Sequence, residues 1–206
     1  WRLVWLDRQG RETELSAQLG EGVRYATLSP DGRLVAFSAT RDSNLDVWIW
    51  DIASGVKSRL TTAPEDDFSP VWSPTGEEIA FHSNRAGNYD IFSVRTDGSG
   101  APQALVATLE GERAQDWSRD GKYLLYERIT TETGVDLWYL ERAVGTSDWE
   151  PHPLVQTPFA ETDARFSPDV RYVAYVSDET GQDEVYVRSF PDANRKWTVS
   201  PGGGQM

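Results

Sequence analysis

The chain has 206 residues, of which 33 are acidic and 20 basic, so its formal net charge is −13, and it contains no cysteine. Such a surface repels nucleic-acid phosphate and acidic lipid, and the lack of thiols excludes disulfides and thiolate chemistry. No stretch approaches the roughly 18 consecutive apolar residues of a membrane span. We therefore expect one domain with a sizeable core, no nucleic-acid partner and no membrane span in this segment.

Two short strand-like runs open the chain. They lie within residues 3–15, on either side of the turn Asp7-Arg8-Gln9-Gly10. Apolar and β-branched residues flanking a turn that ends in glycine predict a pair of antiparallel strands. We interpret them as the last two strands of a partial repeat, because complete repeats follow.

A pattern centred on a serine then recurs four times. The copies are Leu28-Ser29-Pro30-Asp31-Gly32, Trp72-Ser73-Pro74-Thr75-Gly76, Trp117-Ser118-Arg119-Asp120-Gly121 and Phe166-Ser167-Pro168-Asp169-Val170. An aromatic residue follows each serine by eight positions: Phe37, Phe81, Tyr126 and Tyr175. An acid that opens an apolar run follows by 17 or 18 positions: Asp46, Asp90, Asp136 and Glu184. A period in the forties built from short strands predicts a β-propeller.

Each repeat divides into four strand-like runs; in the second copy they are 70–73, 78–83, 90–94 and 103–106. The predicted blades are about 23–62, 68–107, 113–157 and 162–200, and 201–206 is a lead-in to a next blade. The fold class is therefore all-β: four complete four-stranded blades and a partial one, expected to be a segment of a six- to eight-bladed propeller. The nine tryptophans are expected mostly to pack between blades. Open blade edges predict self-association.

No catalytic motif emerges from the sequence. The chain lacks Gly-x-Ser-x-Gly, Ser-x-x-Lys and His-Glu-x-x-His, and Gly202-Gly203-Gly204 lacks the lysine of a phosphate loop. Its two histidines, His82 and His152, lie in different blades, and His82 occupies a strand position filled by Ser38, Glu127 and Val176 in the other copies. We expect no catalytic residue, no metal site and no enzyme activity within this segment.

Acidic residues gather in the loops that one rim of a propeller would share. The candidate binding residues are Asp42, Asp66, Asp67, Glu110, Glu112, Glu161, Asp163, Asp178 and Glu179. Converging carboxylates can bind a hard cation such as Ca²⁺, for which the sequence gives no further support, or a basic segment of a protein. They can equally form a solvated rim. The four repeated acids that open the third strands are expected to serve blade architecture instead.

The recurring Trp/Phe-Ser-Pro-Asp-Gly, Ile/Val-Ala-Phe and Asp-Ile-Phe/Trp-Val segments resemble the WD-like repeats of the TolB-type β-propeller family. Residues 3–10 and the stretch from Val185 to the glycine triplet at 202–204 are similar to the C-terminal propellers of certain bacterial serine/threonine kinases. The resemblance implies a non-catalytic protein- or peptide-binding or sensor module, with a periplasmic or extracytoplasmic location. Similar propellers also precede the catalytic domain of prolyl-oligopeptidase-like serine peptidases. A substrate-gating propeller whose catalytic domain lies outside this segment is therefore the alternative.

Overall fold

A computed structural model describes residues 3–16, 22–143 and 148–204, and every regular element within them is a β-strand. The first strands are β1 (Leu3–Leu6), β2 (Glu12–Ser16), β3 (Arg24–Leu28), β4 (Leu34–Arg41), β5 (Asn44–Asp51), β6 (Lys57–Arg59), β7 (Asp67–Trp72), β8 (Glu78–Ser83) and β9 (Asp90–Arg95). The others are β10 (Gln103–Val106), β11 (Gly111–Trp117), β12 (Tyr123–Thr130), β13 (Gly134–Arg142), β14 (Trp149–Val155), β15 (Glu161–Phe166), β16 (Tyr172–Ser177), β17 (Glu184–Ser189) and β18 (Lys196–Thr198).

The strands form one hairpin and four antiparallel sheets. Strands β1 and β2 pair with each other, and the sheets are β3–β6, β7–β10, β11–β14 and β15–β18, here called blades 1 to 4. Within each blade every strand pairs with the next one along the chain, which is the meander of a propeller blade. The predicted all-β fold of four-stranded blades is confirmed. Of the lead-in at 201–206, residues 201–202 form a turn, residues 203–204 have no regular structure, and residues 205–206 lie outside the described part.

The repeated serine explains why the first hairpin of each blade turns where it does. In blade 3, Ser118 Oγ donates to Asp120 Oδ1 at 2.7 Å and accepts the N–H of Tyr123 at 2.9 Å. Blades 1 and 4 repeat both bonds, and blade 2 places a threonine where they have aspartate. One buried or half-buried hydroxyl thus bonds to the turn side chain and to the first backbone N–H of the next strand, and so fixes the register of that strand.

The apolar core lies between consecutive blades. Ala36 and Ile49 of blade 1 pack with Phe81 of blade 2, and further clusters join blade 2 to blade 3 and blade 3 to blade 4. Trp72 and Trp117 are buried in these layers, whereas Trp5 and Trp197 are 46% and 44% exposed. The interfaces between blades therefore hold the fold together. Within the described residues, no helix has the length and apolarity to cross a membrane.

A bulge in the first strand connects blade 2 to blade 1 and blade 4 to blade 3. Ser69 and Asp163 have φ of 56° and 55°, and the pairing of their strands shifts register there. The N–H of Ser69 donates to Ser38 Oγ at 3.0 Å, and that of Asp163 donates to Glu127 Oε1 at 3.1 Å. Both acceptors lie on the second strand of the preceding blade. This strand position, which His82 occupies in blade 2, therefore faces the next blade.

Candidate functional site: the loop rim and the channel mouth

The first strands of all four blades line a channel. Its volume is about 1100 Å³, and residues of β3, β7, β11 and β15 contribute to its wall. The first strand is the innermost strand of a propeller blade, so its inward side chains reach the axis. Any ligand in the channel would contact residues from several blades at once.

Three aromatic side chains stand together at one mouth of the channel, and we call them the aromatic lip: Tyr25, Phe68 and Tyr89. The ring centroid of Phe68 lies 5.8 Å from that of Tyr25 and 5.3 Å from that of Tyr89. Tyr25 is 54% exposed and Tyr89 is 42% exposed. Below them, His82 meets Phe68 edge-on at 5.1 Å, and burial lowers the pKa of His82 to about 4. The lip is an exposed apolar surface above a neutral histidine.

Charged side chains also line the channel. Arg113 Nη1 is 3.7 Å from Glu127 Oε2, and Arg165 Nη1 donates to two backbone carbonyls at 2.8 and 2.9 Å. Asp116 Oδ2 accepts the N–H of Phe166 at 2.8 Å. Burial raises the pKa values of Asp116 and Glu127. The channel is therefore polar and mixed in charge inside its aromatic mouth.

The aromatic lip belongs to a rim formed by two sets of loops, here called the loop rim. The loops between second and third strands are 42–43, 84–89, 131–133 and 178–183, and the inter-blade loops are 60–66, 107–110 and 156–160. Hydrogen bonds from backbone to side chain join the two sets: Asp66 N–H donates to Asn84 Oδ1 at 3.0 Å, and Ala160 N–H donates to Asp178 Oδ1 at 2.9 Å. These bonds hold the loops against each other.

Six of the nine predicted acids are at least partly exposed on the loop rim or the channel wall: Asp42, Asp66, Glu110, Asp163, Asp178 and Glu179. The side chain of Asp42 is 90% exposed, 3.6 Å from Arg41. Glu110 lies 3.3 Å from Arg128, and Glu179 pairs with Lys196. The structure spreads these carboxylates along the rim and does not gather them into one cluster. No three His, Cys, Asp or Glu side chains of the described residues converge as a metal-ligand set.

The other three predicted acids, Asp67, Glu112 and Glu161, are buried beneath the rim. Both oxygens of Asp67 accept hydrogen bonds from Arg85 Nη2 at 2.8 Å. Glu112 accepts from the hydroxyl of Thr108, and Glu161 accepts from that of Thr157. Their carboxylates face side chains of the protein itself. A partner arriving from solvent would meet the six exposed acids first.

Sequence reasoning missed two features of this region: the aromatic lip, and the burial of three of the predicted acids. Tyr25, Phe68 and Tyr89 occupy three different places in the repeat, so no period points to them. A signal did exist for the buried acids, because Asp67, Glu112 and Glu161 each stand six positions before a turn serine. That recurrence indicates a place in the blade architecture, as it does for the acids that open the third strands.

The comparison that decides the family is a match over residues 8–150 to the family described as the TolB beta propeller domain. The chain belongs to this family. Its fold also matches TolB from Acinetobacter baumannii with a TM-score of 0.77 and 21% identity, over 94% of this chain and 47% of that one. The predicted resemblance to TolB-type propellers is confirmed.

Two further similarities bear on what surrounds a TolB propeller. The Tol-Pal system protein TolB of Wolinella succinogenes is 27% identical over 107 residues, which are 52% of this chain and 25% of that protein. A puromycin-hydrolyzing peptidase of Mycobacterium tuberculosis has a similar fold, with a TM-score of 0.66 and 18% identity, over 93% of this chain and 30% of that one. The matched part spans about a quarter of the length of the curated relatives.

Proposed function

We propose that this TolB propeller is a non-catalytic module that binds a protein or peptide at the mouth of its channel. The aromatic lip is the observation that carries the proposal. Exposed tyrosines offer a large, rigid contact area that loses little conformational entropy on binding, and their hydroxyls can still bond to a polar partner. Loops held on a rigid scaffold are a common place for recognition.

The charge of the loop rim favours a partner with basic residues. The chain carries a net charge of −13, and the exposed acids Asp42, Glu110 and Asp163 stand on the loop rim or the channel wall beside it. Opposite charges across an interface increase the association rate and the specificity for a partner more than they increase affinity. Salt weakens this attraction by screening it. We therefore expect the partner to insert an apolar or aromatic residue at the aromatic lip and to carry lysine or arginine on either side of that residue.

A peptide selection tests the proposal. Random displayed peptides are selected on the chain, and the peptides obtained are then measured against the double variant Tyr25→Ala with Tyr89→Ala. We expect selected peptides rich in Lys and Arg, with a loss of affinity of at least about tenfold in the double variant, because truncating aromatic anchors removes hot-spot energy.

Trp197→Ala is the matched control for this experiment. Trp197 is as exposed as Tyr89 but lies on the outer strand β18, away from the channel. Its truncation is expected to leave affinity unchanged. Peptides that bind the lip variant and the wild type equally would overturn the proposal.

A second candidate is a propeller that gates substrate entry to a serine peptidase, and the similarity to the puromycin-hydrolyzing peptidase fold favours it. The coding sequence on both sides of this segment separates the possibilities. A downstream Gly-x-Ser-x-Gly elbow supports the peptidase gate. Upstream His-Arg-Asp and Asp-Phe-Gly motifs followed by an apolar span support an extracytoplasmic sensor of a bacterial kinase.

A further inference from the structure

Each interface between consecutive blades buries a pair of carboxyl groups. One comes from the acid that opens a third strand, and the other from the acid six positions before the next turn serine. The pairs are Asp46 with Asp67 (blades 1 and 2), Asp90 with Glu112 (blades 2 and 3), and Asp136 with Glu161 (blades 3 and 4), and none of the six is more than 1% exposed. Two buried negative charges so close together need compensation.

At the interface of blades 1 and 2, arginines compensate both charges. Arg59 Nη2 lies 2.6 Å from Asp46 Oδ2, and Arg85 donates to both oxygens of Asp67. The pair of carboxylates and the pair of guanidinium groups sum to zero charge. Burial still raises the pKa of Asp46, whose Oδ2 accepts no hydrogen bond, but an arginine stands beside each carboxylate here.

At the interface of blades 2 and 3, one arginine serves two acids. Arg128 Nε is 3.5 Å from Glu112 and 3.3 Å from the exposed Glu110. Asp90 and Glu112 lie within hydrogen-bonding reach of each other. Asp90 Oδ2 and Glu112 Oε2 are buried without a hydrogen-bond donor among the described residues. Two facing carboxylate oxygens repel each other unless one of them carries a proton.

At the interface of blades 3 and 4, no Lys, Arg or His of the described part of the chain forms an ion pair with Asp136 or Glu161. Hydroxyls of Thr133 and Thr157 donate to one oxygen of each acid. The other oxygens, Asp136 Oδ1 and Glu161 Oε2, are buried without a donor. Blade 4 also has Glu179 twelve residues after its turn serine, where blade 2 has Arg85, so the local charge is reversed.

We propose that protons lock the interfaces of blades 2 and 3 and of blades 3 and 4. Asp90 and Glu112 share one proton, and Glu161 holds another beside Asp136; each proton supplies a donor that the orphaned oxygens lack. Rising pH removes these protons and weakens both interfaces. The interface of blades 1 and 2, where an arginine stands beside each carboxylate, depends less on pH over the same range.

The surrounding groups agree with this assignment. The charged and titratable groups that face the two proton-locked pairs are Tyr126, Arg128 and Glu110 around Glu112, and Tyr175 and Glu179, the latter paired with Lys196, around Glu161. Burial raises the pKa of Glu112 and of Glu161 to about 7. The folded chain therefore keeps these protons from about pH 4.5 to about pH 7, where the unfolded chain has lost them, so stability falls as pH rises through that window.

The test is a series of urea unfolding curves between about pH 5 and about pH 8.5. Exposed acids such as Asp169, whose pKa is lowered to about 2 by hydrogen bonds to Ser167 and Arg171, stay ionised throughout this range. The wild type is compared with the double variant Glu112→Gln with Glu161→Gln, whose amides mimic the protonated acids. We expect the urea concentration at the wild-type unfolding midpoint to decrease between about pH 5 and about pH 7.5 and then to level off. His82 has the opposite slope below its ordinary pKa, but it contributes equally to both proteins, so their difference isolates the pairs.

Glu77→Gln is the control, because Glu77 is an exposed acid of the turn between β7 and β8 and belongs to neither pair, and its profile should follow the wild type. Carboxyl NMR of the wild type labelled with ¹³C-glutamate gives a second readout, in which two resonances should titrate near neutral pH. Parallel profiles for wild type and double variant, or no such resonances, would overturn the proposal. A wild-type profile made flat by millimolar Ca²⁺ would also overturn it, because the pairs would then take a metal ion.

Discussion

The turn between the first two strands of a blade depends on one residue with a left-handed backbone. Gly32, Gly76 and Gly121 have φ of 73° to 75° there, and Val170 has φ of 58° in blade 4. A β-branched residue is strained in this region, and its side chain packs against the cluster between blades 3 and 4. The serine and aspartate bonds of that turn are intact in spite of the valine. Hydrogen bonding thus overrides backbone preference at one turn.

Replacement of Gly32 by alanine measures that preference. A Cβ atom at Gly32 would meet nothing within 4 Å, so the substitution tests backbone conformation alone. We expect Gly32→Ala to lower the free energy of unfolding by about 1 kcal/mol in urea denaturation. Gly111→Ala is the control, since Gly111 has no positive φ and its Cβ would meet Ile129 at an ordinary 3.7 Å. An equal loss in both variants would contradict this account of the turn.

Strands within a blade hold together through buried charge as well as apolar packing. The Arg85 guanidinium lies 4.8 Å from the ring centroid of Phe92 while it pairs with Asp67, and Arg128 stacks likewise on Trp138 at 4.4 Å. The same cation therefore compensates a carboxylate and covers an aromatic ring. Loss of either partner would leave the other charge buried.

Asp67→Asn is expected to show this cost. The substitution leaves Arg85 without its carboxylate in an interface where Asp67 is fully buried. We expect a loss of about 3 kcal/mol of unfolding free energy, equal at every pH from about 5 to about 8.5. Asp42→Asn, at a side chain that is 90% exposed, should change stability by less than about 0.5 kcal/mol. A small or pH-dependent effect of Asp67→Asn would argue against arginine compensation at this interface.

The repeat made the strands predictable from the sequence, whereas it gave no sign of the proposed binding surface. Turn serines and third-strand acids recur at fixed offsets, and the structure places each in the same part of its blade. Tyr25 and Phe68 do not recur in this way. Their contact arises only in the folded chain, where neighbouring blades bring separate strands to one channel mouth. The burial of Glu112 and Glu161 was likewise obscured, since sequence alone reads an acid beside a loop as solvated.

Taken over the full chain, charge and shape point to one face. The loop rim and the aromatic lip beside it carry most of the exposed acids and surround the open end of the channel, whereas the exposed Trp197 of β18 lies on the outer edge of blade 4. A net charge of −13 keeps phosphate-rich and acidic partners away and draws basic segments toward the molecule. Recognition at the channel mouth would therefore be fast and sensitive to salt.

Photo-crosslinking within the intact natural protein tests directly whether the channel mouth binds a partner. A photoreactive phenylalanine analogue is placed at Tyr89 in one variant and at Trp197 in another, and both are irradiated in cells at low and at high salt. We predict that the Tyr89 variant crosslinks to one defined protein or peptide with basic residues, that high salt reduces this product, and that the Trp197 variant does not form it. The same product from both positions, or none from Tyr89, would contradict a binding role for the channel mouth.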